Sequence, residues 1–119
     1  MSKRKQAKIV PLPQYYTRSP TGKEQYSRLP QSLIRSDAVR TLKHAARSVY
    51  IDMIDVAAGH PDVIYTQEMA HTNFGMSKGC YTVSIQELVD HGLIERMPRS
   101  WYAPARFAFS TKWKEYIRD

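Results

Sequence analysis

Lys78, Thr82 and Gln86 recur at intervals of four residues, and Gly79 and Val83 accompany them at the same spacing. In a helix of about 3.6 residues per turn, that repeat gathers all five positions on one face. The complementary positions, Tyr81, Ser84, Ile85 and Leu88, follow the i, i+3, i+4, i+7 pattern of a buried stripe. Ser84 is small where two helices are expected to pack closely. The outward face is therefore polar, short-chained and free of acids before Glu87. Such a face suits a DNA major groove about 12 Å wide, where lysine reaches guanine and glutamine bonds adenine through two hydrogen bonds. Ser77 stands just before it as an N-cap, and the free N–H groups of a first helical turn hold phosphate well. Ser77, Lys78, Gly79, Thr82, Val83 and Gln86 are thus the candidate DNA-reading set.

A second group lies downstream. Arg96, Arg99 and Arg106 surround a loop that carries Pro98, Pro104 and the aromatic pair Trp101-Tyr102. Basic residues in a hairpin beside a reading helix can straddle the sugar-phosphate backbone or enter the minor groove. Trp101 and Tyr102 either take part in that contact or cover the edge of the hairpin. Lys112 and Lys114 follow close by. A third group, Lys3, Arg4 and Lys5, opens the chain.

The formal net charge of +7 is unevenly spread. Residues 1–28 contain seven basic side chains and one acid, Glu24, whereas residues 29–119 contain eleven basic and ten acidic ones. The excess positive charge belongs to the first segment. Pro11, Pro13 and Pro20 interrupt it and its aliphatic residues are few, so it buries too little surface to offset its ordering entropy. The expected organisation is a basic flexible arm over 1–28 and one domain over 29–119. The arm is either a solvated tail or an electrostatic clamp. If arm and hairpin together neutralise about six phosphates, the log–log salt slope of DNA binding is roughly −5.

The remaining elements must position these groups. A short helix is expected after Pro30, with Leu33 and Ile34. A central helix follows, with Leu42, Ala46, Val49, Met53 and Val56 as its buried stripe and Ile51 and Ile54 widening the apolar face. Ser48, Asp52 and Asp55 fall opposite, and Gly59 with His60-Pro61 stops the helix. Val63 to Tyr65 reads as a short strand. Thr66 caps a helix whose Met69, Ala70 and Phe74 face inward, and Phe74-Gly75-Met76 forms the turn. The helix from Ser77 runs to about Asp90 and closes at Gly92. Leu93 to Met97 and Arg106 to Ser110 are expected strands, with Phe107 and Phe109 on one side. A last helical turn holds Trp113, Tyr116 and Ile117. The fold class is α+β, mainly α: a winged helix-turn-helix, with a three-helix core and a β-hairpin wing.

Gly75-Met76-Ser77, then Ile85, Glu87-Leu88 and Gly92-Leu93-Ile94, resemble the winged-helix proteins of bacterial mobile elements, both plasmid or phage replication proteins and small regulators. Ala45-Ala46-Arg47 through Ile54 is similar to the first core helix of that group, and Phe107 to Trp113 to its closing strand and tryptophan turn. The resemblance covers about residues 30–117. It implies that Lys78, Gly79, Thr82, Val83 and Gln86 face DNA, in a protein regulating transcription, replication or mobility. Ala70 to Gly75 is one residue longer than in common repressor helix-turn-helix motifs, which sets this chain apart from them.

Catalytic signals are weak. Asp52 and Asp55 are best explained as a solvated helix face. His44, His60, His71 and His91 are scattered, and Cys80 lacks a CxxC partner, so neither zinc nor nucleophilic catalysis is expected. Glycine-rich phosphate loops are absent, and no enzyme activity, cofactor, metal or small-molecule ligand is expected. One cysteine suits a reducing cytoplasm. No apolar run approaches the roughly 18–20 residues of a membrane span, and no apolar region follows the charged start, so the expected setting is cytoplasmic and nucleoid-associated. The expected partner is double-stranded DNA, with a second copy of the chain as another candidate. The alternatives are a winged helix used as a protein–protein adaptor and a single-stranded nucleic-acid binder whose tyrosines and tryptophan stack on bases.

Overall fold

The computed structural model describes residues 29–117. The expected arm, with Lys3, Arg4 and Lys5, lies outside the described residues. The elements are α1 (Gln31–Ile34), α2 (Asp37–Arg40), α3 (His44–Ala57), β1 (Asp62–Ile64), α4 (Gln67–Phe74), α5 (Lys78–Asp90), β2 (Ile94–Arg96) and β3 (Arg106–Phe109). A 3₁₀ turn, Lys112–Glu115, closes the order. This is an α+β domain, mainly helical, with one small antiparallel sheet of strand order β1-β3-β2.

Local sequence explains most boundaries. Ser36, Thr66 and Ser77 sit in extended conformation before α2, α4 and α5, and each hydroxyl accepts the N–H three residues on. That satisfies one orphan donor per helix, a contribution of about 1 kcal/mol each. α5 ends in a Schellman motif: the Leu93 N–H donates to the Leu88 carbonyl and the Gly92 N–H to the Val89 carbonyl, both at 3.0 Å. Gly92 adopts φ +78°, and Leu88 and Leu93, fully buried, pack at the helix end. In the sheet, Phe107 pairs with Val63 on one side and Arg96 on the other, and Phe109 with Ile94. Period-two alternation sends Phe107 and Phe109 into the core and leaves Arg106 exposed.

α3 and α5 pack against each other as the main helix pair. The buried side chains of α3 are Ala46, Val49, Tyr50, Met53, Ile54 and Ala57. The centre of this face runs through Ala46, Tyr50, Met53 and Ala57, which corrects two expectations. Val56 falls on the edge of the face in the last turn and Ile51 on its far side, and both are exposed. Phe74 is exposed too. Gly75, in the left-handed region at φ +68°, turns the chain so that Met76 folds into the core in its place. α2 is an element the sequence reading did not separate from its neighbours, and Leu42 is buried in the turn after it rather than in α3. α3 stops one residue before the expected glycine, with Ala58 itself left-handed at φ 48°. Of the final turn, Trp113 is buried and Tyr116 packs on the core, whereas Ile117 lies beyond it, exposed.

Candidate nucleic-acid interface

Lys78, Gly79, Thr82, Val83 and Gln86 are all exposed along α5, and Val83 is 59% accessible despite its branched apolar side chain. Ser84, Ile85 and Leu88 on the opposite side are buried. The Ser77 hydroxyl is occupied as a cap, accepting from the Cys80 N–H at 3.1 Å. Glu87, the first acid after the face, is turned away from it. Its Oε2 accepts from the Lys43 N–H at 2.8 Å, capping the start of α3. The Gln86 Nε2 donates to the Asp90 Oδ1 at 2.8 Å on the exposed surface. Asp90 therefore marks the far end of the acid-free face and holds the Gln86 amide in place.

Gly79 stands out within this helix. Its backbone is not left-handed, and a Cβ built there meets nothing within 4 Å. A glycine inside a helix costs up to about 1 kcal/mol relative to alanine. Among the described residues, nothing packed against Gly79 requires that cost.

The angle of α5 is fixed by a polar network that joins four elements. Asp52 is half-buried on α3 rather than solvated. Its Oδ2 accepts from the Tyr65 hydroxyl and from the Asn73 Nδ2, both at 2.6 Å. The Tyr81 hydroxyl of α5 donates to the Tyr65 carbonyl at 2.6 Å, and the two rings stack with centroids 6.4 Å apart. The network ties α3, the chain leaving β1, α4 and α5 together. At the other end of α5, His91 Nδ1 lies 2.8 Å from the Ala38 carbonyl. A carbonyl only accepts, so Nδ1 carries the proton. The His91 ring stacks on Tyr116 with centroids 4.3 Å apart.

Burial, reinforced by the hydrogen bond to Asp52 and its negative charge, pushes the Tyr65 phenol well above the ordinary value of 10.0. Burial raises Tyr81 as well, and the nearby Arg99 and Arg96 guanidiniums draw it partly back. A phenol whose pKa is higher folded than unfolded stabilises the fold fully below the unfolded value. It loses that contribution as pH rises from about 10 towards the folded value. The urea midpoint is therefore expected to hold steady from about pH 7 to 9 and fall above about pH 10, with a shallower fall in Tyr65→Phe. Equal alkaline slopes in wild type and variant would contradict this role for Tyr65.

In the hairpin after α5, Arg96 ends β2, Arg99 lies in the loop and Arg106 begins β3, and all three are exposed. β2 packs against α5, and Arg99 and Arg96 lie close enough to Tyr81, on the inward stripe of that helix, to act on its phenol. Arg106 is partly committed, its Nη1 lying 3.1 Å from Asp62 Oδ1 across the sheet. Both side chains stay accessible, so the pair contributes at most about 1 kcal/mol. Lys112 likewise pairs with Glu95 at 2.9 Å. An open groove of about 510 Å³ runs behind the loop, lined by Ile64, Pro98, Arg99, Ala103, Pro104 and Arg106 among others. Trp101 and Tyr102 cover no edge. They are 90% and 75% exposed at the loop tip.

The structure thus gathers the α5 set on one exposed helix face and packs β2 of the hairpin against α5, whereas Arg106 is engaged with Asp62 on β1 and Trp101 stands at the loop tip. Sequence reasoning missed Asp52, Tyr65 and Asn73 as the groups that orient α4 and α5. The only local signal was an aspartate on a helix otherwise expected to pack in the core. Among the described residues, no three His, Cys, Asp or Glu side chains are grouped to hold a metal ion, and no helix is long and apolar enough to cross a membrane. No family model, curated protein or solved structure matches the chain.

Proposed function

We propose that this chain is a winged-helix protein that binds double-stranded DNA sequence-specifically. α5 lies in the major groove, the β2–β3 hairpin acts as the wing on the adjacent backbone, and the basic residues of 1–28 add electrostatic affinity. The observation that carries this reading is the α5 surface. Its five face positions are exposed and uncharged apart from Lys78, and the hairpin that follows α5 carries three exposed arginines. The helix order α3–β1–α4–α5, followed by a hairpin whose second strand sits between β1 and β2, fits the winged-helix layout. With the folded part near neutrality, a reader of base edges is a better description than a general polyanion binder. The role that accompanies this reading is control of transcription, replication or mobility of a bacterial element.

Gly79 supplies the test. A glycine in the first turn of a groove-inserted helix allows close approach of nucleic-acid backbone or base edge. Gly79→Ala is expected to raise stability by up to about 1 kcal/mol in urea titration. The same change is expected to weaken duplex binding about tenfold, read by fluorescence anisotropy, because a methyl group intrudes where DNA approaches. A variant that is more stable and binds duplex unchanged would contradict the placement of α5.

A further inference from the structure

Trp101 and Tyr102 occupy the two central positions of a tight turn closed by the Ala103 N–H, which donates to the Ser100 carbonyl at 3.0 Å. Those positions ordinarily go to Gly, Pro, Asn or Asp. Here they hold two of the largest apolar rings in the protein, both turned to water. The rings meet edge to face, centroids 5.5 Å apart and planes at 85°, which leaves a broad face of the indole open. Arg99 stands immediately before the turn, with Arg96 at the base of the hairpin, so the aromatic tip is bordered by positive charge.

We infer that this turn is a stacking site for unpaired bases, so that the chain prefers duplex DNA bordering a single-stranded or melted segment. The inference rests on the duplex-binding reading of α5 and adds the DNA structure that is recognised. Geometry favours unpaired bases over insertion into intact duplex. A minor groove about 6 Å wide does not admit two rings held nearly perpendicular. An unpaired base offers its whole π-face to the indole, and Arg99 reaches the phosphate beside it. α5 would hold the duplex while the hairpin tip takes the first bases beyond it.

The two tryptophans make this measurable. Trp113 is 3% exposed in the core, whereas Trp101 is at the surface, so contact quenching by a stacked base affects Trp101 alone. The probes are a blunt duplex of random sequence, the same duplex with a single-stranded thymidine extension of about ten nucleotides, and the extension alone, at low salt. Wild type is expected to bind the extended duplex about tenfold tighter than the blunt one, with quenching on the extended duplex only. Trp101→Ala should lose both the preference and the quenching, and Trp101→Phe should keep most of the preference. Equal binding of blunt and extended duplex by wild type would overturn the stacking site and leave the duplex reading standing. Binding of the extension alone, with neither duplex bound more tightly, would overturn the duplex reading and with it the preference for a duplex bordering a single strand.

Discussion

Replacing Gly92 by alanine is expected to destabilise the domain by about 3 kcal/mol or more. Two costs combine. At φ +78° an alanine occupies the left-handed region, at about 1 kcal/mol relative to glycine. A Cβ there would also stand 2.7 Å from both the Lys112 carbonyl carbon and the Trp113 nitrogen. Those atoms are backbone and cannot rotate aside. The closing turn would have to move, losing the Trp113 N–H bond to the Gly92 carbonyl at 2.9 Å and loosening the buried indole. Gly75→Ala is the internal control. It shares the positive φ, at +68°, but its Cβ meets nothing within 4 Å, so about 1 kcal/mol is expected. Urea titration of the two variants separates strain from collision. Equal destabilisation would show that the close approach of the closing turn to Gly92 carries no weight.

The second large effect is on binding. Lys78→Ala/Gln86→Ala is expected to lower affinity for a selected duplex site about a hundredfold, since each good base contact contributes about 1–3 kcal/mol of discrimination. Affinity for random duplex should change far less, because the hairpin arginines remain. Stability should stay within about 0.5 kcal/mol, as both side chains are exposed and the Gln86–Asp90 bond is an exposed i, i+4 pair. Competition titrations of the selected site against random duplex read the ratio directly. A variant that keeps the wild-type ratio would remove Lys78 and Gln86 from any reading role.

Much of the fold was legible in the sequence because its signals are local. The Ser77 cap, the buried Ser84, Ile85 and Leu88, and Gly92 after the C-cap delimit α5 through interactions within a few residues. The alternation of Phe107 and Phe109 places β3 in the same way. What escaped depends on contacts between distant segments. Asp52 looked like a solvated residue because its partners, Tyr65 and Asn73, lie 13 and 21 positions away. Phe74 was expected inside because it ends an amphipathic pattern, but the left-handed Gly75 gives that place to Met76. On the candidate site, the outward face of α5 followed from periodicity alone. That Glu87 leaves this face to cap α3, and that Asp90 engages Gln86, required the packed structure.

Placement of α5 in the major groove of duplex DNA can be read with a probe that the chain itself carries. Cys80 is the single cysteine of the sequence, exposed in the first turn of α5 beside Gly79. An iron chelate tethered to its Sγ and activated in the bound complex cuts DNA only where the helix is near. With a selected duplex site, cutting is expected at a few neighbouring positions on both strands, within one major-groove segment. A complex that stays bound but is cut evenly along the duplex, or not at all, would rule out α5 in the major groove.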